Sequence, residues 1–254
     1  MDATPLFTVI TVCFNTESTI AETMESVLRQ DFQDYEYWVV DGGSTDGTAE
    51  IIRRYEARFS GRMHWLSEKD NGMYDAINKA LRQARGKYVN TLNSGDRYLP
   101  HTLRNVAEAI AEKNLDADVF YGAVVLEAPG RIGQILRFND DVLPYGMPPH
   151  PASFIARQAH LKWGGYSDQY KIYGDWELFL RFYFGKAKFV PIEVITTYFA
   201  PAGLSGTVNK RKHQECYELS IRYHLHPKWI CIYNLYSKLL ALNIRKILKR
   251  LRNR

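Results

Sequence analysis

The sequence predicts an α/β protein whose central sheet is mostly parallel and flanked by helices, with a helical, basic C-terminal tail. Three observations carry this. Strand-like and helix-like segments alternate through the first hundred residues. The leading strands are apolar on both faces, and the connections between segments are short and polar. Repeated strand–helix units of this kind stack as a parallel sheet with right-handed crossovers. At 254 residues and 46% hydrophobic, the chain is long enough to bury a sizeable core.

Each element follows from local signals. "FTVITVCF" (7–14) is β-branched and apolar throughout, the mark of a strand buried on both faces. Ile20, Met24, Val27 and Leu28 recur at helical spacing, and Thr19 with Glu22 is a candidate capping box. "YEYWVVD" (35–41) is a second strand. "DGGSTDGT" is a polar turn in which Asp46 or Thr48 caps the helix carrying Ile51, Ile52, Tyr55 and Phe59. "MHWLS" (63–67) is a short third strand. Met73, Ile77, Ala80, Leu81 and Ala84 line a helix that ends at Gly86. "KYVNTLN" is the fourth strand, and Pro100 stands near the start of a helix carrying Leu103, Val106, Ala107 and Ile110. "ADVFYGAVVLE" (117–127) is a further strand. Pro144, Pro148, Pro149 and Pro151 predict mostly loop over 128–160. "GDWELFLRFYF" (174–184) is helical, "KFVPIEVITTYF" (188–199) is one strand or two, and "PAGLSGT" (201–207) is flexible.

Charge excludes some function classes. The formal net charge is +5, yet seven basic residues from Lys238 to Arg254 stand together with no acid among them. The remainder is slightly acidic, so nucleic acid is not an expected partner. Charged residues make up 24% without a low-complexity stretch or repeat, which predicts a folded chain. Cys13, Cys216 and Cys231 are few, odd in number and without metal spacing, which fits a reducing, cytoplasmic setting. "MDATPLFTV" lacks the basic region of a signal peptide. No uninterrupted apolar run reaches the ~18–20 residues that span a bilayer.

In an open parallel sheet, ligands bind beyond the carboxyl ends of the strands. Asn15-Thr16-Glu17 follow the first strand, Asp41-Gly42-Gly43-Ser44 the second, Glu68 and Asp70 the third, and Asn93 and Asp96 the fourth. As many as five acids therefore meet at one edge. The turn "CFNTES" has no glycine, and no P-loop pattern occurs, so if this edge binds a nucleotide, glycine-backbone cradling of phosphate is not the main device. Carboxylates instead accept from base N–H groups and ribose hydroxyls, or hold Mg2+ or Mn2+ that meets phosphates. Taken singly, each of these turns is also explained as a βα turn or helix cap; their equivalent positions on one sheet are what join them.

At these residues the sequence resembles the family-2 glycosyltransferases of the GT-A (Rossmann-like) fold, over roughly residues 6–200. "FTVITVCFNTESTIAETMESVLRQDFQDYEYWVVDGGSTDGTAEII" is similar to the family's nucleotide-binding half. "EKDNGMYDAINKALRQARGKYVNTLNSGDRYLP" resembles its middle, as in bacterial exopolysaccharide and lipopolysaccharide enzymes, and "YGDWELFLRF" its acceptor-side motif. The resemblance implies a catalytic domain over 1–205, with a nucleotide-sugar half (1–99) and an acceptor half (100–205), followed by a helical extension over 206–254. It implies Val12, Asn15, Glu17, Asp41, Asp70 and Asn93 around a UDP- or GDP-linked sugar, with Asp41 on the base. Asp96 would bind a divalent metal, Mg2+ or Mn2+, beside the diphosphate. Asp175 would be the general base of an inverting single displacement onto a glycan or lipid-linked acceptor in surface-polysaccharide biosynthesis. His150 and Trp176 would lie on the acceptor side, with a buried histidine and a core tryptophan as the alternatives.

Two positions depart from the family pattern. Asn93 and Gly95 stand where many relatives carry acids, leaving Asp96 as the motif's one carboxylate, and Gly174 precedes Asp175 where Glu is common. Neither change removes the acid assigned the main role. Glu177 is alternatively a partner for Arg181 at i,i+4. The tail, "WICIYNLYSKLLALNIRKILKRLRNR" (229–254), reads as a basic amphipathic helix able to lie on the inner face of the cytoplasmic membrane, or to pack on the body. Two further readings remain. A sugar-nucleotide-forming nucleotidyltransferase would need a glycine-rich basic loop after the first strand, which "CFNTES" lacks. A catalytically inactive nucleotide-sugar-binding subunit is motivated by the thinned metal motif.

Overall fold

The computed structural model describes residues 4–127, 133–139, 143–200 and 210–225. The parallel half consists of β1 (Phe7–Cys13), β2 (Tyr35–Asp41), β3 (Met63–Ser67) and β4 (Tyr88–Thr91), joined through α1 (Ile20–Leu28), α2 (Thr48–Glu56) and α3 (Met73–Gln83). These strands stand in the order β3-β2-β1-β4. All of β1 is buried, the physical reason its sequence shows no polar alternation. Phe7 and Val9 pack with α1 and α2 on one face, while Ile10 and Val12 pack with α3 on the other. Cys13 pairs with Asp41, and Asp41 with Ser67, so these strands end level at one rim.

The remaining elements are β5 (Arg97–Tyr98), α4 (Thr102–Lys113), β6 (Val119–Leu126), β7 (Ile135–Leu136), β8 (Ser153–Ala156), α5 (Arg157–Trp163), α6 (Gly174–Phe184), β9 (Phe189–Phe199) and α7 (Lys210–Arg222). The sheet continues β4-β8-β6-β9-β5, with β7 on the side of β6. β8 is antiparallel to both β4 and β6, β9 is parallel to β6, and β5 is antiparallel to β9. The sheet is thus mostly parallel with antiparallel insertions.

Two local expectations are corrected. Residues 153–160, within the stretch expected to be mostly loop, form β8 and the start of α5; a four-residue strand behind a proline-rich run carries too little pattern to read, and neighbours on both sides define it. The Thr19–Glu22 capping box does not form. Thr19 Oγ1 meets Ser94 Oγ at 3.2 Å, and Glu22 takes Arg97 Nη1 at 3.2 Å, because tertiary partners compete with the local cap. The flexible stretch 201–207 and the amphipathic tail 229–254 lie outside the described residues. Among the described residues no helix is long and apolar enough to cross a membrane.

α7 is seated on α6. Leu219 and Leu225 share a small core with Tyr170, Trp176 and Leu180, and Tyr223 Oη donates to Glu177 Oε1 at 2.8 Å.

Gly86, between α3 and β4, is required by the close approach of β1. A Cβ there would lie 2.4 Å from Thr8 N and 2.6 Å from Phe7 C. Its N–H also donates to Thr8 Oγ1 at 2.9 Å. Gly86→Ala is expected to destabilise the protein by about 1–3 kcal/mol or more, read as a lower urea midpoint at unchanged m. An unchanged midpoint would contradict this packing of β1 against the α3–β4 turn.

Candidate active site

The rim turns interlock before any ligand is considered. Asn15 adopts a left-handed conformation (φ 51°). Its N–H donates to Ser44 Oγ at 2.7 Å, and its Oδ1 accepts from Thr45 N at 2.9 Å. Glu17 Oε2 accepts from Gly47 N at 2.7 Å, while Glu17 N donates to Asp46 Oδ2 at 3.2 Å. These two residues therefore stitch the β1 turn to the β2 turn. The Val12 carbonyl accepts from Ser94 N at 3.2 Å, drawing in the β4 turn. Glu68 pairs with Lys79 at 2.7 Å at the exposed margin.

Asp41 is fully buried at the end of β2. Its carboxylate accepts from Ser44 N (3.1 Å) and Ser67 Oγ (2.6 Å), and from Ser44 Oγ. Serines at adjoining strand ends thus hold this acid in place. Gly42 leaves room for a second carboxylate beside it, since a Cβ there would lie 2.6 Å from Asp70 Oδ2. Asp70 Oδ1 accepts from Gly72 N at 2.8 Å, which fixes the approach to α3.

The tip of β4 is tied to α1. Gly95, at φ 100°, makes the tight turn; its N–H donates to Thr23 Oγ1 at 3.0 Å, and that hydroxyl donates to Asp96 O at 2.8 Å. The side chain of Asp96 is buried and accepts from Ala200 N at 3.0 Å. Burial pushes its pKa up to about 7, with the Ala200 amide and the Arg97 charge opposing the rise. Asn93 is half-buried; its Nδ2 touches Met73 Sδ at 3.6 Å, and its Oδ1 is buried without a partner. Among the described residues no three His, Cys, Asp or Glu side chains converge as a metal cage.

Asp175 heads α6, half-buried. Its Oδ1 accepts from Trp176 N at 2.8 Å and lies 3.2 Å from Tyr74 Oη, which is also 2.9 Å from the Ile172 carbonyl. Burial pushes its pKa up to about 6, while the Trp176 amide and the Tyr74 hydroxyl hold it from rising further. The ring of Tyr74 lies on the Cα of Gly174: a Cβ there would be 2.5 Å from Tyr74 Cε2. This close approach explains why glycine, and not glutamate, precedes Asp175 in this chain.

The other residues expected on the acceptor side are interior. Tyr74 stacks on Tyr166 (centroids 5.6 Å apart, 11° between planes), and Tyr166 Oη meets His150 Nε2 at 2.7 Å. His150 is 7% exposed, and burial lowers its pKa to about 4, so it is neutral at physiological pH. Trp176 is 5% exposed, donates to the Pro144 carbonyl at 3.2 Å and packs under α7, without a free face for stacking. Glu177 is buried and bidentate with Arg181, as the i,i+4 spacing suggests; Arg181 in turn donates to the Gly165 carbonyl at 2.7 Å.

Contacts therefore run from Asp41 across Gly42 to Asp70, along the first turn of α3 to Asn93, and through Tyr74 to Asp175. Asp96 joins through its own N–H, which donates to the Asn93 carbonyl at 3.0 Å. Sequence reasoning missed Tyr74, which lies three residues before Ile77 on the buried face of α3, and the serines that hold Asp41. A tyrosine on the buried face, in the first turn of a helix starting at the rim, was the available signal.

Comparison with known proteins bears on this geometry. Residues 8–171 match the family model described as glycosyl transferase family 2. A PGL/p-HBAD biosynthesis glycosyltransferase of Mycobacterium tuberculosis is 28% identical over 225 residues, covering 87% of each chain. A putative teichuronic acid biosynthesis glycosyltransferase, TuaG of Bacillus subtilis, is 38% identical over 111 residues, covering 43% of this chain and 44% of its own. Among solved structures, S. aureus TarS 1–349 in complex with UDP-GlcNAc superposes with a TM-score of 0.69 at 21% identity, covering 85% of this chain and 65% of that one. A Pyrobaculum calidifontis mannosyltransferase, PcManGT, in complex with GDP-Man and Mn2+ gives 0.59 at 21% identity, covering 77% and 57%. This chain spans less than two thirds of each of these solved chains. The structural likenesses establish a shared fold, the GT-A arrangement.

Asp96 makes stability depend on pH. Its folded-state value of about 7 lies above the roughly 3.9 of an unfolded aspartate, so the protonated carboxyl favours the fold. That contribution is complete below the unfolded value and lost as pH rises through about 7. Asp96→Asn keeps an oxygen for the Ala200 amide and removes the buried charge. In metal-free buffer it is expected to raise Tm near pH 8, by about 2–4 °C per kcal/mol recovered, and to raise it far less near pH 4, where the wild-type carboxyl is protonated in the folded state and about half protonated in the unfolded one. Equal differences at both pH values would contradict the burial of this carboxyl.

Proposed function

This chain belongs to glycosyl transferase family 2, and from that premise we propose that it transfers a sugar from a UDP- or GDP-linked donor to a hydroxyl of a glycan or lipid-linked acceptor in surface-polysaccharide biosynthesis. The reaction is an inverting single displacement. The observation that carries the reading is Asp175: a half-buried carboxylate at a helix start, titrating near 6 and oriented by Tyr74, at the end of a contact path that begins at the strand rim.

A general base works best with a pKa near the operating pH, and it must reach the proton that it removes. Asp175 takes the proton of the acceptor hydroxyl as the oxygen attacks the anomeric carbon. The bond from that carbon to the diphosphate breaks on the opposite side, and the electron pair leaves with the nucleoside diphosphate. On the donor side, Asp70 accepts from base N–H or ribose hydroxyl groups, Asp41 with Ser44 and Ser67 fixes the floor beside it, and Asn15 and Glu17 hold the turns that frame them.

The tip of β4 fits a divalent cation that arrives with the diphosphate better than one caged by protein. Asp96 supplies one carboxylate and Asn93 an unpartnered oxygen, both hard donors. Mg2+ and Mn2+ commonly take one or two carboxylates, with waters and substrate phosphates completing the shell. A cation held there by Asp96 and Asn93 would offset negative charge developing on the leaving group. His150 and Trp176 serve this reading by shaping the wall behind Asp175 rather than by touching the acceptor. The relatives named for cell-surface glycans support the acceptor class. Association with the membrane surface would reside in the tail.

Two measurements test this reading. With a panel including UDP-GlcNAc and GDP-mannose, Tm is expected to rise on adding donor, and to rise further with Mn2+. A nucleotide sugar that shifts Tm but is never turned over would instead indicate a binding subunit. Asp175→Asn is expected to lower kcat at least 100-fold with donor binding retained. In the wild type, kcat/KM is expected to fall as pH drops below about 6, because the base must be ionised. Unchanged transfer by Asp175→Asn removes Asp175 from its role.

A further inference from the structure

α7 lies beyond the residues that the family model matches, yet it reaches the segment that presents Asp175. Glu215, in its second turn, is 4% exposed. Its Oε1 accepts from Lys171 N at 2.9 Å, and its Oε2 from Ile172 N at 2.9 Å and Tyr173 N at 3.0 Å. Arg211 Nε adds a fourth donor at 2.8 Å. Three consecutive amides thus converge on one carboxylate, immediately before the helix that begins Gly174-Asp175.

We propose that Glu215 is a positioning residue for Asp175, so that α7 completes the active site. The proposal rests on the reading of Asp175 as the general base. An Arg–Glu pair on a solvent-facing helix would contribute little. A buried carboxylate taking three backbone amides is different in kind: the bonds are charge-assisted, and without it the amides lose their acceptor. The segment is gripped from the other side as well. The Ile172 carbonyl lies 2.9 Å from Tyr74 Oη, and Lys171 Nζ donates to the Asn71 carbonyl at the entrance to α3. Glu215 on one flank and α3 on the other fix the backbone from which the Asp175 carboxylate is aimed. A displacement of about 1 Å at such a group costs on the order of 100-fold in rate.

Glu215 also acts on Asp175 through space. The titratable groups that face Asp175 are Tyr74 from α3, Tyr166 from the loop after α5, Tyr173 from its own segment and Glu215 from α7. Glu215 carries a negative charge at neutral pH, which raises the Asp175 pKa. A purely structural anchor of the same shape would leave that pKa alone.

The test compares Glu215→Ala, Glu215→Gln and Asp175→Asn in the full chain, following nucleoside diphosphate release from a panel of UDP- and GDP-sugars with Mn2+. Glu215→Ala is expected to lower kcat about 10- to 100-fold with donor KM within about 2-fold, because Glu215 bonds to residues 171–173 and Arg211 and to none of the donor residues on the turns after β1 to β4. Glu215→Gln keeps an acceptor oxygen but not the charge. It is expected to recover part of kcat and to move the acidic limb of kcat/KM to lower pH. Wild-type kcat in Glu215→Ala, with Asp175→Asn inactive, overturns the positioning role and leaves Asp175 in place. Full transfer by Asp175→Asn overturns the base assignment and the proposal with it. Should Glu215→Ala lose its cooperative melt, Glu215→Gln decides: a displaced limb supports the proposal, and an unmoved one overturns it.

Discussion

The site depends on the seating of Tyr74 in the first turn of α3. Its ring occupies the space where any side chain at residue 174 would go, stacks on Tyr166, and carries a hydroxyl to both the Ile172 carbonyl and Asp175. The preceding residue, Met73, touches Asn93 at the tip of β4. One helix turn thereby holds the strand rim and Asp175 in register. Buried stacking and a short hydrogen bond restrict such an arrangement far more than a surface contact does, because a core packed to crystal-like density does not deform continuously.

Two aspartates of one chain are tuned differently by their surroundings, and a third is held in place by donors. Asp41 is buried but ringed by hydroxyl and amide donors at the strand ends. Asp96 is buried and accepts from the Ala200 amide, and its proton is held to about 7. Asp175 has an amide and a phenol and is pushed to about 6. Desolvation raises a carboxyl pKa and donors lower it, so the number of donors orders the last two. A cation beside Asp96 would offset its burial, whereas Asp175 needs none to act near neutral pH.

The parallel half was legible because its code is local. β1 is an unbroken apolar run, α3 shows a helical stripe, and polar turns separate them; the structure returns these within a residue or two. β8 was not legible, since a four-residue strand between β4 and β6 owes its existence to pairing rather than to its own pattern. The candidate acids could be picked out because a parallel sheet places its strand ends together. How they are held could not. Ser44 and Ser67 on Asp41, Tyr74 on Asp175, and the 44-residue reach from Lys171 to Glu215 are tertiary facts with no periodicity. Gly174 is the instructive case: a departure from a family pattern whose cause is an aromatic ring a hundred residues away.

The central claim is that the rim from Asp41 to Asp96 holds the sugar nucleotide while Asp175 faces its anomeric carbon. A crystal structure of the Asp175→Asn protein with an unhydrolysed nucleotide sugar and Mn2+ tests this most directly. The account predicts the base beside Asp41 and Asp70, the metal and diphosphate at Asn93 and Asp96, and residue 175 across the sugar from the leaving oxygen. A nucleotide bound on another face, or a sugar with residue 175 out of reach of its anomeric centre, would contradict it.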